Sequence, residues 1–362
     1  MTQALLVEPD YKTKYPNLAL MKISTKLKQE GQLVKYVKGR CDLRVLFEHK
    51  YTDVYITTLF TYDSKETIDT INFYKRMCPN ATIHVGGIFA TLNAEYVKEK
   101  TGVTPFLGYS KELDSLKPDY DLIKTGTKWD NFSYVFTSRE CANKCHFCAV
   151  PILESESWVN PHWKDAVDLT RPNIMVSDNN LTSQPIEHFA DVMSFIKEHN
   201  LRVIFDNGWD ARLFNEEHLK HLEGVNLLDG GLRFTYDNMS QKGHIERTIT
   251  ACLNAGITPS KFLIYTLFNF TDTPKEAEYR ARTIINLGVS PYPQMYTPLD
   301  KLSRRPTFIG EKWTSKLVKA FRFFYLMHGY SNKMTFPEWL VSDKCEKYTG
   351  LIDDYNKWDW SP

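Results

Sequence analysis

What this 362-residue chain lacks narrows it first. No uninterrupted apolar run approaches the about 20 residues that span a bilayer, so no membrane segment is expected. Lys and Arg number 45 against 44 Asp and Glu, a net charge of +1. That balance gives no global attraction to nucleic acid or to an anionic membrane. The opening Met1-Thr-Gln-Ala-Leu-Leu-Val-Glu-Pro-Asp10 turns acidic too soon for a secretory signal. The seven cysteines are an odd number with a tight cluster among them, which argues against a disulfide framework. The chain therefore reads as cytoplasmic. Hydrophobic residues make up 42% and charged residues 25%, the balance of a globular protein able to bury a full core. The length suits about two domains.

The N-terminal third alternates strand and helix signals. Ala4–Val7 is a short apolar run, and Tyr15–Lys28 carries apolar residues near helical spacing until Gly31 can end it. Leu33–Val37, Asp53–Phe60 and Ala81–Gly87 read as further strands, with a helix over Ser64–Met77 and Ser64 as its N-cap. Such alternation implies parallel βαβ units in an open sheet, which binds ligands beyond the carboxyl ends of its strands. The stretch Thr104–Tyr120 is rich in turn formers and reads as a linker, which puts a domain boundary near residue 128.

Strand and helix signals resume from Phe132. Strands are expected over Ser133–Thr137, Asn173–Ser177, Arg202–Asp206, Leu228–Thr235, Phe262–Phe268 and Tyr292–Tyr296. Helical patterns are clearest at Pro185–His199, Glu216–Glu223, Gly243–Ala255 and Pro274–Leu287. Six such repeats suggest a parallel sheet curved into a partial barrel with active loops at the strand carboxyl ends. Pro298–Pro306 breaks the pattern with Lys301, Arg304 and Arg305 between prolines, a solvated turn by composition. Trp313–Met327 reads as an amphipathic helix, and the tail through Trp339, Tyr348, Tyr355, Trp358 and Trp360 reads as aromatic packing that closes the barrel.

Directly after the first of those six strands comes Ser138-Arg-Glu-Cys141-Ala-Asn-Lys-Cys145-His-Phe-Cys148-Ala-Val-Pro151. Three thiolates on one loop are metal chemistry, and soft thiolate sets select zinc or iron–sulfur clusters. A closed structural zinc site takes four ligands, usually from two knuckles. Here His146 is the one histidine in the loop, and a second knuckle is missing because Cys41, Cys78, Cys252 and Cys345 stand alone. Three cysteines suit a four-iron, four-sulfur cluster with one iron open. Cys252, in a helical setting, reads as a core residue, and the other histidines (His84, His188, His199, His218, His221, His244) read as structural.

Cys141, Cys145 and Cys148, with Phe147 before the last cysteine, match the Cys-x-x-x-Cys-x-x-Cys motif, and the chain resembles the radical S-adenosylmethionine (radical SAM) superfamily. The resemblance extends over most of 129–300. It implies a 4Fe-4S cluster whose open iron chelates S-adenosyl-L-methionine, reductive cleavage to a 5′-deoxyadenosyl radical, and hydrogen abstraction from an unactivated carbon. It also implies an electron donor such as flavodoxin or ferredoxin. Met175-Val-Ser-Asp-Asn-Asn180 stands where related enzymes carry a polar turn against the cosubstrate's amino group, which makes Ser177, Asp178 and Asn179 candidates; an Asx turn serving the next helix is the competing reading. Phe205-Asp-Asn-Gly-Trp-Asp-Ala-Arg212 resembles another strand end of the same subgroup. Arg212 would pair with the cosubstrate carboxylate or form a surface ion pair, and Asn207 or Asp210 would face ribose or substrate. Gly231–Asp237 looks like a further strand end with an inward Arg233, and Tyr265–Pro274 resembles a fifth, with Asn269 toward adenine or substrate and Asp272 or Thr273 capping the next helix.

Residues 1–128 resemble the cobalamin-binding-like, Rossmann-like domain that precedes many radical SAM cores, through Thr57-Thr58, Thr61 and Val85-Gly-Gly-Ile-Phe-Ala-Thr91. The cobalt-ligating Asp-x-His-x-x-Gly is absent, and His49 lacks its context. Cobalamin bound without a histidine ligand and a scaffold without cobalamin both follow from this pattern. The expected architecture is thus α/β: an open parallel sheet over 1–128, a partial (β/α)6 barrel over 129–300 and a helical aromatic-rich segment over 301–362. The reaction would be methylation, rearrangement or epimerisation of a small metabolite, peptide or modified nucleotide. A non-catalytic zinc or iron–sulfur module on nucleic acid, or a methylthiotransferase, are the alternatives; the near-neutral charge weighs against the first and the missing N-terminal cysteine set against the second.

Overall fold

The computed structural model describes residues 3–42, 51–327, 334–342 and 345. The fold is mixed α/β with parallel sheets. The chain divides into two compact units, Met1–Asn179 with Pro298–Pro306, and Asn180–Thr297 with Thr307–Pro362. Residue 128 falls inside the first of them. No helix among the described residues is long and apolar enough to cross a membrane.

The first unit is built on β1 (Gln3–Glu8), β2 (Leu33–Lys38), β3 (Asp53–Thr58) and β4 (Thr82–Gly87). They form an all-parallel sheet in the order β2-β1-β3-β4. Central strand β1 is buried along Ala4–Val7, as an apolar run covered on both faces requires. Helix α1 (Leu18–Gln29) follows β1, and α2 (Ser64–Met77) follows β3 and buries Ile68, Ile71 and Tyr74. Both helices are legible in the sequence. The cap is not: Asp63 holds the N-cap position, and the Ser64 hydroxyl instead donates to the Leu302 carbonyl at 2.7 Å. Arg304 forms a two-point pair with Asp63 at 3.0 and 2.8 Å and lies over the Tyr62 ring, so Pro298–Pro306 is partly tied down rather than a purely solvated turn.

After β4 the chain enters α3 (Ile88–Leu92) and α4 (Ala94–Thr101), which the sequence reading left as a strand end. The stretch read as a linker contains α5 (Lys111–Asp114), with Asp114 buried. Beyond it β5 (Phe132–Val135) pairs in parallel with β8 (Asn173–Val176), and both are fully buried. Between them lie β6 (Ser138–Arg139), α6 (Val150–Leu153) and β7 (Trp158–Val159), with β6 and β7 antiparallel.

In the second unit β10 (Leu232–Thr235), β11 (Phe262–Phe268) and β12 (Pro291–Met295) form a parallel sheet. Bridges Val203–Leu227 and Trp209–Phe234 join β9 (Arg202–Phe205) and the residues after it to the approach and body of β10. Helices α7 (Ile186–Glu198), α8 (Glu216–Leu222), α9 (His244–Asn254) and α10 (Pro274–Asn286) alternate with these strands. Thr273 caps α10 through a reciprocal bond with Glu276, and Pro274 fills the first turn where its missing N–H is harmless. Trp313 and residues of α11 (Ser315–Leu326) and α12 (Phe336–Leu340) pack Phe321, Phe324, Phe336 and Trp339 into one core with Phe268, Ala277 and Ala281. That is the aromatic packing anticipated for the tail; Tyr348, Tyr355, Trp358 and Trp360 lie outside the described residues.

Candidate functional site

The cysteine loop leaves the carboxyl end of β5 through the short ribbon β6. Ser177 N–H donates to Val135 O at 2.9 Å, which carries the β5–β8 ladder one step further. Asp178, at the same strand end, is buried. Its carboxylate accepts the Thr137 N–H at 2.6 Å, the Ser138 hydroxyl at 2.6 Å and the Thr137 hydroxyl. Asp178 therefore spans from β8 to the root of the loop, while Ser177 and Asn179 beside it are half-buried.

Burial pushes the Asp178 carboxyl up from 3.8 to about 6, against the hydrogen bonds that favour its charged form. Between those pH values the folded chain holds the proton more tightly than the unfolded chain. Stability is therefore expected to fall as pH rises from 3.8 through about 6, by roughly 3 kcal/mol for a shift of about two units. Urea denaturation from pH 4 to 7 should show this fall, and Asp178→Asn should remove its share, leaving the part due to Asp237.

Arg139 sits at the next position of the ribbon. Its guanidinium grips both oxygens of Asp114 at 2.7 and 2.9 Å and one oxygen of Glu154 at 2.7 Å. It also stacks on Phe136, 3.4 Å from the ring centroid. Lys22 of α1 adds a second cation, 3.6 Å from Asp114, and burial lowers its pKa to about 8. Glu154 accepts the Glu140 N–H as well, and Glu140 takes a left-handed φ of 79° just before Cys141. Buried Lys22 and half-buried Arg139 thus balance two buried carboxylates at the root of the loop. None of these four residues stood out in the sequence, because their signal is mutual and spans 92 residues from Lys22 to Asp114.

Within the loop, Cys141, Cys145, Phe147 and Cys148 are all half-buried. Cys148 N–H donates to Cys145 O at 3.0 Å, and Val150 N–H points at Cys148 Sγ at 3.5 Å. Among the described residues no group of three His, Cys, Asp or Glu side chains is gathered closely enough to grip a metal ion. The donor set nonetheless suits an iron–sulfur cluster: three reachable thiols and a backbone N–H aimed at one sulfur, the kind of contact that tunes cluster potential. Binding would draw the thiols together, as is usual where a site forms with its metal.

In the second unit three of the strand-end candidates are held by ion pairs. Arg212 closes on Asp210, with Nη2 to Oδ2 at 2.7 Å and Nε to Oδ1 at 3.0 Å. Asp210 also lies at the side chain of Asn180, whose Oδ1 is 3.4 Å from the Asp210 N–H. Arg233 donates to Asp206 Oδ1 at 2.7 Å and to the Tyr265 hydroxyl at 2.8 Å. Asn207, between these groups in sequence, is half-buried. Asn269 is fully buried with a left-handed φ of 66°; its amide donates to Phe308 O at 3.0 Å and accepts the Gly310 N–H at 2.8 Å. Its side chain is committed to holding the segment after β12.

The carboxyl edge of the first sheet was the place for cobalamin. Gly87 adopts φ 115°, and a Cβ there would lie 2.3 Å from Thr58 O. Gly86 is covered by Phe106, whose N–H donates to Val85 O at 2.8 Å. The glycine pair is thus used by the chain itself. His84 bonds to Asp53 at 2.8 Å and stacks on Tyr55, while His49 lies outside the described residues.

No protein-family model matches the chain, and no curated protein matches it significantly. Among solved structures it is similar to an ABC transporter periplasmic solute binding protein from Actinobacillus succinogenes with bound D-allose, at 12% identity and TM-score 0.24 over 80% of this chain and 84% of that one. It is similar to GanP, a glucose-galactose binding protein from Geobacillus stearothermophilus, at 12% identity and TM-score 0.19 over 82% and 95%. A protein assigned as a UDP-N-acetylglucosamine 2-epimerase from Listeria monocytogenes gives 11% identity and TM-score 0.22 over 93% and 98%. At such scores the likenesses carry no argument.

Proposed function

We propose that this chain is a radical SAM enzyme in which Cys141, Cys145 and Cys148 hold a 4Fe-4S cluster. The observation that carries the reading is the three-cysteine loop leaving the carboxyl end of a buried parallel strand over a balanced layer of charge. When bound and reduced, the cluster supplies cleavage of S-adenosylmethionine to a 5′-deoxyadenosyl radical that abstracts hydrogen from an unactivated carbon. The chain's own residues supply placement. Arg139, Asp114 and Glu154 fix the backbone entering Cys141, and Asp178 clamps Thr137 and Ser138. Phe147, next to Cys148, would line the cluster. Ser177 and Asn179 just after β8, with Asn207, Asp210, Arg212 and Arg233 after β9 and on β10, are the proposed contacts to cosubstrate and substrate. In the architecture that goes with this reading, residues 129–300 form a partial (β/α)6 barrel, and residues 1–128 serve as a scaffold without cobalamin.

The test is anaerobic reconstitution with iron and sulfide, reduction in the presence of S-adenosylmethionine, and assay of 5′-deoxyadenosine. Formation of 5′-deoxyadenosine is expected, and its loss together with the bound iron in the Cys141→Ala, Cys145→Ala and Cys148→Ala chains. Stoichiometric zinc with no 5′-deoxyadenosine would overturn the reading. Cobalamin offered during reconstitution should leave no bound chromophore after desalting.

A further inference from the structure

Acidic residues mark the carboxyl ends of the strands in the second unit, and most are neutralised. Asp206 pairs with Arg233, Asp210 with Arg212 and Asp272 with Arg280, each at 2.7 Å. Asp237, two residues beyond β10, differs. Its Oδ1 accepts the Leu267 N–H of β11 at 3.0 Å, and no cation pairs with it among the described residues. Its Oδ2 accepts no bond from them either, and it is not sealed from solvent. The side chain is half-buried.

The turn that carries Asp237 is rigid. Gln241, itself buried, accepts the Asp237 N–H at 2.6 Å and the Asn238 N–H at 3.2 Å, and its own amide reaches back to Thr235. One oxygen is therefore pinned to the sheet while the other accepts no bond from the described residues at a strand carboxyl end, where parallel sheets bind ligands. The charged groups that face this carboxyl are Arg280 from α10 and the Asp210–Arg212 pair from the loop after β9. Arg280 is fully buried with its Nη2 on Asp272 and on Leu267 O, and Arg212 is paired with Asp210, so both act on Asp237 through space and neither forms an ion pair with it.

From this geometry we propose that Asp237 is a proton-exchanging carboxyl that contacts ligand at the carboxyl ends of β10 and β11, taking a ligand that presents an O–H or N–H hydrogen. In the forward step the ligand's O–H or N–H bond breaks, its electron pair stays on the ligand heteroatom, and the proton bonds to Oδ2. The reverse step returns the same proton, so no oxidant or reductant is involved. Burial, set against the Leu267 N–H and the more distant Arg280 and Arg212, raises the Asp237 carboxyl to about 6, which suits exchange in both directions near neutrality. The assignment concerns the second unit alone and stands without a cluster or cosubstrate.

The experiment uses the full chain without added cofactor, so it separates from the cluster assay. Carboxyl-carbon NMR of aspartate-labelled protein, assigned by loss of one resonance in Asp237→Asn, should give a midpoint near 6 against the ordinary 3.8. A water-soluble carbodiimide with glycine ethyl ester at pH 6 should label Asp237 faster than Asp272 by about tenfold or more, since only a protonated, reachable carboxyl reacts. A midpoint near 3.8, or labelling no faster than at Asp272, would overturn the proposal. Should Asp237→Asn fail to fold, Asp237→Glu supplies the assignment by the same loss of one aspartate resonance, and the labelling of the unaltered chain still decides.

Discussion

Replacing Arg139 with methionine is expected to destabilise the first unit by about 3–5 kcal/mol, the usual cost of stripping one partner from a buried ion network. The size follows from what is left behind. Asp114 and Glu154 are both buried, at 5% and 4% exposure, so neither recovers its lost hydrogen bonds from water. Lys22 stands 3.6 Å from Asp114 but does not reach Glu154 in any recorded contact, and burial already disfavours its charge. Methionine preserves much of the volume over Phe136 and Tyr109, so the loss is electrostatic rather than a cavity. Arg139→Lys keeps the charge but not the fork that meets both Asp114 oxygens, and should fall between the two. Urea denaturation of the three chains measures the series. A midpoint for Arg139→Met equal to that of the unaltered chain would remove the charge layer from the account of the loop.

The second large effect is expected at one of two adjacent glycines and not at the other. Gly87 has φ 115° and ψ −173°, a region that costs residues with a Cβ about 1–3 kcal/mol. A methyl group there would also lie 2.3 Å from the carbonyl oxygen and 3.0 Å from the nitrogen of Thr58, its register partner across β3 and β4. Thr58 has no freedom to retreat, because its hydroxyl donates to Gly86 O at 3.0 Å and accepts the Ala90 N–H at 2.9 Å. Gly87→Ala should therefore cost more than the backbone strain alone. At Gly86 the nearest atom to an added Cβ is Phe106 Cβ at 3.6 Å, an ordinary contact, so Gly86→Ala should shift stability by about 1 kcal/mol or less. Thermal unfolding of the two variants side by side checks the contrast. Equal losses would mean that the pair serves something other than the packing of β3 against β4.

Those two glycines show how far the sequence reaches. As letters they mark a strand end, which is correct for both, and a close approach, which is correct for Gly87. Whether the approaching group is a ligand or the chain's own Thr58 and Phe106 depends on tertiary contacts that no local pattern encodes. Where a signal is local, reading and structure coincide: β11 spans Phe262–Phe268 as expected, α2 spans Ser64–Met77, and the Thr273 cap with Pro274 in the first turn needs only four residues to specify. Where it is distributed, reading falls short. Thr104–Tyr120 looks like a linker because its one decisive residue, Asp114, finds its cations on α1 and β6. Helices α3 and α4 went unread because α3 starts directly from Gly87 with no side-chain cap to announce it. Asp237 is indistinguishable in sequence from Asp206, Asp210 or Asp272; the arginines that pair with those three set it apart.

The first unit is not continuous in sequence, since Pro298–Pro306 belongs to it although Asn180–Thr297 does not. Leu302 packs with the core of the first sheet, and Ser303 bridges to Asp63. During synthesis from the N-terminus, the sheet of β1 to β4 emerges long before these partners exist. The ribosome must add well over a hundred further residues before the unit can close, so the earlier half waits without Leu302 against its core. A gene fragment ending at residue 179 would hold that waiting state permanently, and supplying 298–306 as a separate peptide is the way to ask how much of the unit's cooperativity arrives with its last nine residues.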